Sequence, residues 1–299
     1  MKNQESRLSQ FVLGTAQLGM SYGIANQKGK PSREVALSIV EHAFKNGICE
    51  FDTAQAYGES ESVLGDCFEK LNITDKVKVV SKIDPQLEKV SKGAIIDSVR
   101  TSLKRLKIKK LYGLLLHRGG QLNQWQEKYA SLFRALKKEN LVEFSGVSIY
   151  DEDEFEKALA ISGIEIIQIP FNVFDQRAIL NGWFERAGHK QKRIYIRSIY
   201  LQGLLLMRLN ELPAHMSFAK PFLKNFSDFC EKSRLTNAEA AMKFISQNCN
   251  NAKVIMGVEH TEQLAGNLKL VLSSDDRNGL HFESLNVSDS RVIDPAKWN

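Results

Sequence analysis

The sequence predicts an α/β fold in which short strands alternate with longer amphipathic helices. Eight short apolar runs recur along the chain, and the segments between them carry apolar residues at the spacing of a helix face. No stretch rich in Pro, Gly or Ser and no abrupt change of composition divides the 299 residues. We therefore expect a single domain that spans residues 1–299.

The eight runs have the composition of strands that are covered on both faces. They are rich in Val, Ile and Leu, and several are apolar at consecutive positions, as strands of a buried parallel sheet must be. In chain order the predicted strands are Phe11–Leu13, Ile48–Phe51, Val77–Val80, Leu111–Leu116, Val142–Val147, Ile164–Ile169, Arg193–Ile196 and Lys253–Ile255.

The segments between the runs carry helical signals. One apolar stripe with helical spacing consists of Ile95, Val99, Leu103 and Leu106. Thr236 and Glu239 have the spacing of a capping box, in which each side chain satisfies the other residue's backbone N–H. Because parallel neighbours need a crossover, the alternation predicts a parallel sheet. Both a closed (β/α)8 barrel and an open doubly wound sheet satisfy that rule.

Composition and charge limit the classes of partner. The hydrophobic fraction of 43% and the charged fraction of 25% are ordinary for a globular protein. No apolar run approaches the ~20 residues that span a bilayer. The formal charge is +6, but the basic residues are spread among the helices rather than clustered with aromatic residues. We therefore expect neither a nucleic-acid nor a membrane partner, and the positive excess suits small anionic molecules such as a dinucleotide.

Cysteine usage indicates the compartment and the absence of a metal. Cys49, Cys67, Cys230 and Cys249 are scattered, without a Cys-x-x-Cys pair or a histidine at metal-ligand spacing. This favours reduced thiols in a reducing compartment and no metal site. The first ten residues are polar and lack the apolar core of a signal peptide, so we expect a cytoplasmic protein.

Polar side chains occur at or just beyond the ends of four successive predicted strands. Asp52 follows the second run and Lys82 lies just beyond the third. His117 follows the fourth run and Ser148 the fifth. In a (β/α)8 barrel, the C-terminal ends of the strands converge on the mouth where active sites lie. Each residue by itself could be an ordinary structural or surface residue, but their recurrence on four strands predicts a common site.

Short stretches spread over the whole chain carry a family resemblance. They are Leu13–Ala16, Phe51–Ala54, Ala56–Glu61, Ser81–Lys82, Leu116–His117, Gly146–Ser148, Gln168, Gln202–Leu205, Gln263–Leu264 and Asn267. In these residues and their order the sequence resembles the aldo-keto reductase family, which implies a single-domain (β/α)8 TIM barrel. The stretches Gly146–Asp151, Gln168–Asn172 and Ile293–Pro295 are similar to bacterial members associated with surface-sugar pathways.

The resemblance implies a catalytic group of Asp52, Tyr57, Lys82 and His117. Hydride delivery to a carbonyl carbon builds negative charge on the oxygen, so a proton donor is needed. Tyr57 would be that donor, and Lys82 would lower the phenol pKa from its usual value of about 10. Asp52 would hold Lys82 in place and charged, while His117 would orient the carbonyl.

The resemblance also implies a nicotinamide cofactor, with NADP(H) as the family default. The turn from Ser198 to Gly203 would wrap the pyrophosphate with backbone N–H groups. The residues expected to contact the cofactor are Thr15, Asp52, Ser148, Gln168, Arg197, Ser198, Leu201, Gln202, Gly203, Gly257, Val258, Glu259, Gln263 and Asn267.

Two positions depart from the family's pattern. Arg197 stands where members usually place an aromatic residue that stacks on the nicotinamide. A planar guanidinium can also stack, and its charge should disfavour the cationic oxidised ring. Gly257 and Glu259 stand where members that bind a 2′-phosphate commonly carry basic residues. Glu259 could accept hydrogen bonds from a ribose diol instead, so NAD(H) is also possible.

The implied substrate is a small carbonyl compound, with a keto-sugar or a sugar-derived aldehyde favoured. The loop after His117 is short, which predicts an open, polar site, and Arg118 is a candidate for binding an anionic group. A cofactor-binding regulatory subunit that senses redox state is the alternative function. A Schiff-base lyase using Lys82 is disfavoured because Asp52 would raise the lysine pKa. Oligomeric state is open, because no coiled-coil seam is evident.

Overall fold

Eight parallel strands close into a barrel in the computed structural model, which describes residues 8–26, 28–249, 251–273 and 279–298. Each strand pairs with the next along the chain, and the last pairs with the first. The strands are β1 (Phe11–Gly14), β2 (Glu50–Asp52), β3 (Lys78–Ile83), β4 (Leu111–Leu116), β5 (Val142–Ser148), β6 (Ile166–Pro170), β7 (Arg193–Arg197) and β8 (Lys253–Gly257). This closure confirms the (β/α)8 TIM barrel and excludes the open doubly wound sheet.

Helices separate the strands, as the alternation predicts. The longer ones are α1 (Arg33–Lys45), α2 (Ser60–Lys70), α3 (Lys92–Leu106), α4 (Ala130–Lys138), α5 (Glu152–Ala160), α6 (Trp183–His189), α7 (Lys220–Lys232), α8 (Asn237–Asn248) and α9 (Thr261–Ser273). The capping box before α8 is present, with Glu239 N–H donating to Thr236 Oγ1 at 3.2 Å and Thr236 N–H donating to Glu239 Oε2 at 2.7 Å. Within the described ranges, no helix has both the length and the apolar character that crossing a bilayer requires.

Seven of the eight strands run one to three residues beyond their apolar runs. Asp52 is the last residue of β2, Ser148 is the last residue of β5, and Lys82 lies inside β3. A strand ladder is made by backbone groups, so a polar side chain that faces the mouth of the barrel does not end the strand. Of the four polar residues, His117 is the one that directly follows its strand.

The interior of the barrel is filled with side chains. Its central cluster consists of Val12, Val80, Leu115, Ile166, Tyr195 and Ile255. A larger apolar layer lies between the strands and the helices. The barrel axis is therefore a packed core, and space for a ligand is left at the ends of the strands.

Alternate residues of β7 have different surroundings along the barrel. At the start of the strand, the guanidinium carbon of Arg193 lies 3.8 Å from the centre of the Phe144 ring. In the middle, Tyr195 belongs to the central cluster and its hydroxyl donates to Glu50. At the end, Arg197 lines an open cleft at the mouth. Because alternate side chains of a strand share a face, one face of β7 contributes side chains to both ends of the barrel and to its centre.

The N-terminal end of the barrel is closed around the buried carboxylate of Glu50. This carboxylate accepts a hydrogen bond from Tyr195 Oη and lies 3.0 Å from Lys253 Nζ. These contacts join β2, β7 and β8 far from the mouth. A buried carboxylate that loses a donor also loses part of what offsets its desolvation.

Tyr195→Phe is therefore expected to lower the free energy of unfolding by about 1–3 kcal/mol, because Glu50 loses a buried donor. Urea unfolding followed by tryptophan fluorescence measures this change. Tyr112→Phe is the matched control, since no hydrogen bond of the Tyr112 hydroxyl is found among the described residues, and its loss should stay below about 0.5 kcal/mol. Equal losses in the two variants would contradict the role given to Glu50.

Candidate active site

Asp52 and Lys82 form a buried ion pair at the mouth of the barrel. Lys82 Nζ lies 2.6 Å from Asp52 Oδ1 and 3.0 Å from the backbone oxygen of Thr53. Gln168 Nε2 donates to the other carboxylate oxygen, Oδ2, at 2.7 Å. The side chains of the lysine and the aspartate are 1% and 6% exposed, so each charge depends on the other for its stabilisation.

Neighbouring strands bring the two charges together. β2 and β3 pair with Asp52 opposite Val80, and Lys82 lies two residues further along the same face of β3. The chain that leaves β2 stays bonded to β3, through Thr53 N–H to Val80 O at 2.8 Å and Gln55 N–H to Lys82 O at 3.1 Å. The spacing of the pair is therefore set by the backbone ladder and does not depend on the side-chain contact.

Tyr57 lies in the loop after β2, with its ring next to Lys82 and His117. Lys82 Nζ is 5.0 Å from the ring centre, and the His117 ring meets it edge-on at 5.7 Å between centres. Two glycines allow this loop: a Cβ on Gly19 would lie 1.9 Å from the backbone oxygen of Tyr57, and Gly58 has a φ of 55°. The backbone thus fixes the position of the phenol.

Tyr57 is a neutral phenol in this structure. Burial, reinforced by the charge of Asp52, raises its pKa above the usual range, and Arg197 opposes the rise only in part. The phenol pKa is therefore raised rather than lowered as expected, because the loss of hydration costs the phenolate more than the charge of Arg197 returns. A cation beside the ring still favours the phenolate relative to a site without that cation. A protonated phenol is the form that a proton donor requires.

The pKa of Lys82 lies below its usual value, because burial disfavours the ammonium more than Asp52 favours it. Asp52 does raise the lysine pKa, as expected, but the effect of burial is larger. Geometry still argues against a Schiff-base lysine. Nζ is engaged by two oxygens, and the side chain is 1% exposed and absent from the wall of the cleft.

His117 is a neutral imidazole. Burial, together with the charges of Lys82, Arg197 and Arg118, lowers its pKa to about 3. Its Nδ1 is buried and makes no hydrogen bond with any described residue. A neutral imidazole carries one N–H, so Nε2 can hold that hydrogen and donate it to a ligand.

Arg197 ends β7 and contacts the residues that follow β5. Its Nε donates to Ser148 Oγ at 3.3 Å and its Nη2 donates to the backbone oxygen of Ile149 at 3.1 Å. Its Nη1 donates to Ser198 Oγ at 3.4 Å. The guanidinium carbon lies 4.2 Å from the centre of the Tyr150 ring, so this ring covers one face of the guanidinium plane.

A cleft of about 630 Å³ begins at the mouth and continues along the loops after β7 and β8. The predicted residues that line it are Thr15, Asp52, Tyr57, Gln168, Arg197, Ser198, Gln202, Gly203, Gly257, Val258, Glu259, Gln263 and Asn267. Four other predicted residues do not line it, namely Lys82, His117, Ser148 and Leu201. Lys82, Ser148 and Leu201 are buried, and Ser148 is hydrogen-bonded to Arg197.

The turn after β7 places backbone donors along this cleft. Ser198, Leu201 and Gln202 have φ angles of 61°, 48° and 54°, in the left-handed region that non-glycine residues seldom adopt. The N–H groups of Ser198, Ile199 and Tyr200 donate to no acceptor in the described part of the chain, and all three residues line the cleft. Successive free N–H groups of this kind form an anion-binding concavity.

The loop after β1 forms the opposite wall, and sequence reasoning missed it. Ile24 N–H donates to the backbone oxygen of Gln202 at 3.1 Å, and a Cβ on Gly203 would lie 2.6 Å from Ala25 Cβ. The lining residues that were missed include Gln17, Tyr22, Gly23, Ala25, Tyr200, Leu206, Ala238, Glu239 and Lys269. Most of them lie in loops or at helix starts, where no apolar run precedes a polar residue. Tyr200 was not singled out although it lies inside the turn from Ser198 to Gly203 that was assigned to the pyrophosphate, and its hydroxyl donates to the predicted Asn267 at 2.8 Å.

The far end of the cleft carries charges of both signs. Glu239, Glu259 and Lys269 line it. Glu259 N–H donates to Gln263 Oε1 at 2.7 Å, so this glutamine side chain holds the start of α9 in place. Two carboxylates and one lysine therefore line this end, and these charges affect whether a nucleotide with a 2′-phosphate can bind there.

These features define a (β/α)8 barrel with a neutral phenol beside a buried ion pair at its mouth and an open cleft along the loops after β7 and β8. The sequence model of the aldo/keto reductase family matches residues 10–280, so the chain belongs to this family. It is therefore an oxidoreductase, and the family's reaction is carbonyl reduction. Uncharacterized oxidoreductase YqkF of Bacillus subtilis (strain 168) is 26% identical over 275 residues, which cover 86% of this chain and 89% of that protein.

Two further relatives extend the comparison. Methylglyoxal reductase DkgB of Escherichia coli O157:H7 is 24% identical over 249 residues, covering 77% of this chain and 90% of that protein. The solved holo form of an aldo-keto reductase from Bacillus halodurans superposes with a TM-score of 0.73 at 19% identity, covering 96% of this chain and 95% of that one. This structural likeness shows the fold.

Proposed function

We propose that the protein reduces an aldehyde or a ketone to the alcohol with hydride from NAD(P)H, and that Tyr57 is the proton donor. The observation that carries this proposal is the phenol of Tyr57, which is neutral and lies between the ammonium of Lys82 and the neutral ring of His117. A carbonyl oxygen that binds beside this phenol meets a proton donor that is protonated and uncharged.

Each residue of the group has a distinct task in this reaction. The bound nicotinamide would supply hydride to the carbonyl carbon, which breaks the carbonyl π bond and leaves an alkoxide. Tyr57 Oη gives its proton to that alkoxide oxygen, which yields the alcohol. The nearby Lys82 ammonium then stabilises the phenolate, and Asp52 holds the ammonium in position. His117 donates a hydrogen bond that orients the carbonyl.

The cleft fits a nicotinamide dinucleotide. The free N–H groups of Ser198, Ile199 and Tyr200 would bind the pyrophosphate. The nicotinamide end would lie beside Thr15, Gln168 and Arg197. The adenosine end would lie along the segment from Gly257 to Asn267. The cleft volume of about 630 Å³ falls within the range of ligand sites.

NADP(H) is the family default, and the structure offers an argument for NAD(H). Glu239 and Glu259 line the far end of the cleft, where a 2′-phosphate would meet their charges. A ribose diol could instead donate hydrogen bonds to these carboxylates. Lys269, which lines this end, and Lys28, whose charge acts on Glu259, are cations that could offset them.

Titration with NADPH and with NADH separately tests the proposal without knowledge of the substrate. Trp125, Trp183 and Trp298 emit in the range that a bound dihydronicotinamide absorbs, so saturable quenching at micromolar concentration is expected for at least one cofactor. Gly203→Ala should weaken this binding, because its Cβ would lie 2.6 Å from Ala25 Cβ. Gly188→Ala, with open space around its Cβ, should leave the binding unchanged.

If neither cofactor binds, the proposed reduction is overturned. If a cofactor binds and many turnovers of a simple aldehyde follow, the enzyme is favoured over the redox-sensing alternative, which predicts retention without turnover. The proposed partner is thus a small carbonyl compound. We also propose a cytoplasmic location, which the four free thiols support.

A further inference from the structure

We infer that the physiological substrate carries an anionic group, a carboxylate or a phosphate, near its reacting carbonyl, and that Arg197 binds this group. The inference rests on the proposed carbonyl reduction and names the class of substrate for the same site. It also narrows the sugar-derived carbonyls expected from the sequence to acidic or phosphorylated ones. Four features of the mouth support it.

The guanidinium of Arg197 has spare donors and no counterion. A guanidinium carries five N–H donors. Three contacts are present, to Ser148, Ile149 and Ser198, so two N–H groups are left without a described acceptor. All three acceptors are neutral oxygens, and no carboxylate of the described residues lies within 4.0 Å of this guanidinium.

The mouth consequently has a net positive charge. The charges of Asp52 and Lys82 cancel within their ion pair. His117 and Tyr57 are neutral near pH 7, as their pKa shifts require. The charge of Arg197 is then left without an opposite charge at the reacting centre. A partly buried, unpaired cation is costly, and an anionic ligand removes that cost.

Glu154 is a carboxylate on which the charge of Arg197 acts, but its hydrogen bond is made to another group. Its Oε2 accepts a hydrogen bond from Tyr150 N–H at 2.7 Å. Its carboxyl group packs where a Cβ on Gly119 would lie, 2.1 Å away from such an atom. Glu154 therefore holds Tyr150, the residue before the N-cap Asp151 of α5, and it makes no ion pair within 4.0 Å of Arg197.

The guanidinium is held in a fixed orientation close to the reacting groups. Tyr150 covers one of its faces at 4.2 Å, and the contacts to Ser148 and Ile149 fix its edge. Arg197 and Tyr57 line the same cleft, and the charge of Arg197 acts on both Tyr57 and His117. A planar guanidinium held in one orientation can donate two parallel N–H bonds to two oxygens of a carboxylate or phosphate. The uncovered face remains available to the nicotinamide.

Matched substrate pairs test the inference with the intact enzyme and its preferred cofactor. The carboxylate pair is 4-carboxybenzaldehyde and its neutral isostere 4-formylbenzamide. The phosphate pair is glyceraldehyde 3-phosphate and glyceraldehyde. For each pair the measured quantity is the ratio of kcat/KM for the anionic compound to kcat/KM for the neutral one. The pair with the larger ratio identifies which anion the site prefers.

Arg197→Gln is expected to reduce this ratio by about tenfold to a hundredfold in the preferred pair, the loss typical of a hydrogen-bonded charge. The reduction should lie in KM for the anionic compound, because the group binds through the ground state as well as the transition state. Arg197→Lys keeps the charge but loses the fork, and should retain part of the preference. Arg134→Gln removes one exposed charge from α4, far from the mouth, and should leave the ratio unchanged.

The outcomes separate the inference from the proposed function. If the wild type reduces both members of each pair equally well and Arg197→Gln changes neither ratio, the inference is overturned while carbonyl reduction stands. If Arg197→Gln weakens cofactor binding but leaves the ratio of both substrate pairs unchanged, Arg197 serves only the cofactor and the inference is also overturned. If no aldehyde is reduced and neither cofactor binds, the proposed function itself fails.

Discussion

Tyr57→Phe is expected to lower kcat for aldehyde reduction by about 10²–10⁴-fold, the usual contribution of a general acid. The variant removes a single hydroxyl and leaves the ring that packs against His117 at 5.7 Å between centres. Steady-state kinetics on a simple aldehyde measures the loss. The affinity for NAD(P)H should change little, because a phenyl ring still lines that part of the cleft.

The phenol is the group that donates the proton only if kcat falls while cofactor affinity and the urea midpoint are preserved. A fall in all three quantities would indicate a packing role. A variant that retains more than about a tenth of the wild-type kcat would show that water or another residue supplies the proton, and would remove the main support for the mechanism.

Lys82→Met is expected to reduce kcat by at least about 100-fold and to destabilise the fold by about 3–5 kcal/mol. The loss of activity follows because the phenolate of Tyr57 loses its nearby cation, 5.0 Å from the ring centre. The loss of stability follows because Asp52 would become a buried carboxylate without an opposite charge. Kinetics and urea unfolding measure the two losses separately.

A double variant distinguishes the two roles of the ion pair. Asp52→Asn combined with Lys82→Met removes both charges and leaves an amide oxygen that can still accept from Gln168 Nε2. Stability should recover by more than about 1 kcal/mol relative to Lys82→Met, since no unpaired charge remains. Activity should stay low. Recovery of activity together with stability would mean that the pair is structural.

The fold and the catalytic group follow from local features of the sequence. Apolar runs mark the strands, and the polar residues Asp52, Lys82 and His117 stand at or near the ends of successive runs. Parallel neighbours place such ends at one side of a barrel, so their convergence is predictable once the barrel is. Closure itself is not visible in the strand count. The resemblance to the aldo-keto reductases implies the barrel, and the pairing of β8 with β1 confirms it.

The pKa shifts at the mouth were not predictable, because burial is a property of the folded chain. The sequence shows that Lys82 can approach both Asp52 and Tyr57. It does not show that the lysine is 1% exposed, and at such burial desolvation outweighs the partner charges. For this reason the pKa of Tyr57 is raised rather than lowered, and the raising effect of Asp52 on the Lys82 pKa is outweighed by burial.

The walls of the cleft were only partly predictable. Ser148 was expected to contact the cofactor, but it is buried and its hydroxyl accepts a hydrogen bond from Arg197 Nε. The side chain of Leu201 is buried in the core. Tyr22 and Glu239 line the cleft although neither follows a strand. Loops from distant parts of the chain meet here, and their contacts depend on tertiary packing that no local pattern carries.

The shared inner face of β7 should make this strand more sensitive to a change in length than to a single substitution. Arg193, Tyr195 and Arg197 reach the closed end, the centre and the mouth because they are two residues apart. One inserted residue would turn every side chain on one side of the insertion to the helix-facing surface. Over evolutionary time, point replacements can therefore retune the charge of the mouth, whereas a single-codon insertion would remove the core tyrosine or the mouth arginine in one event.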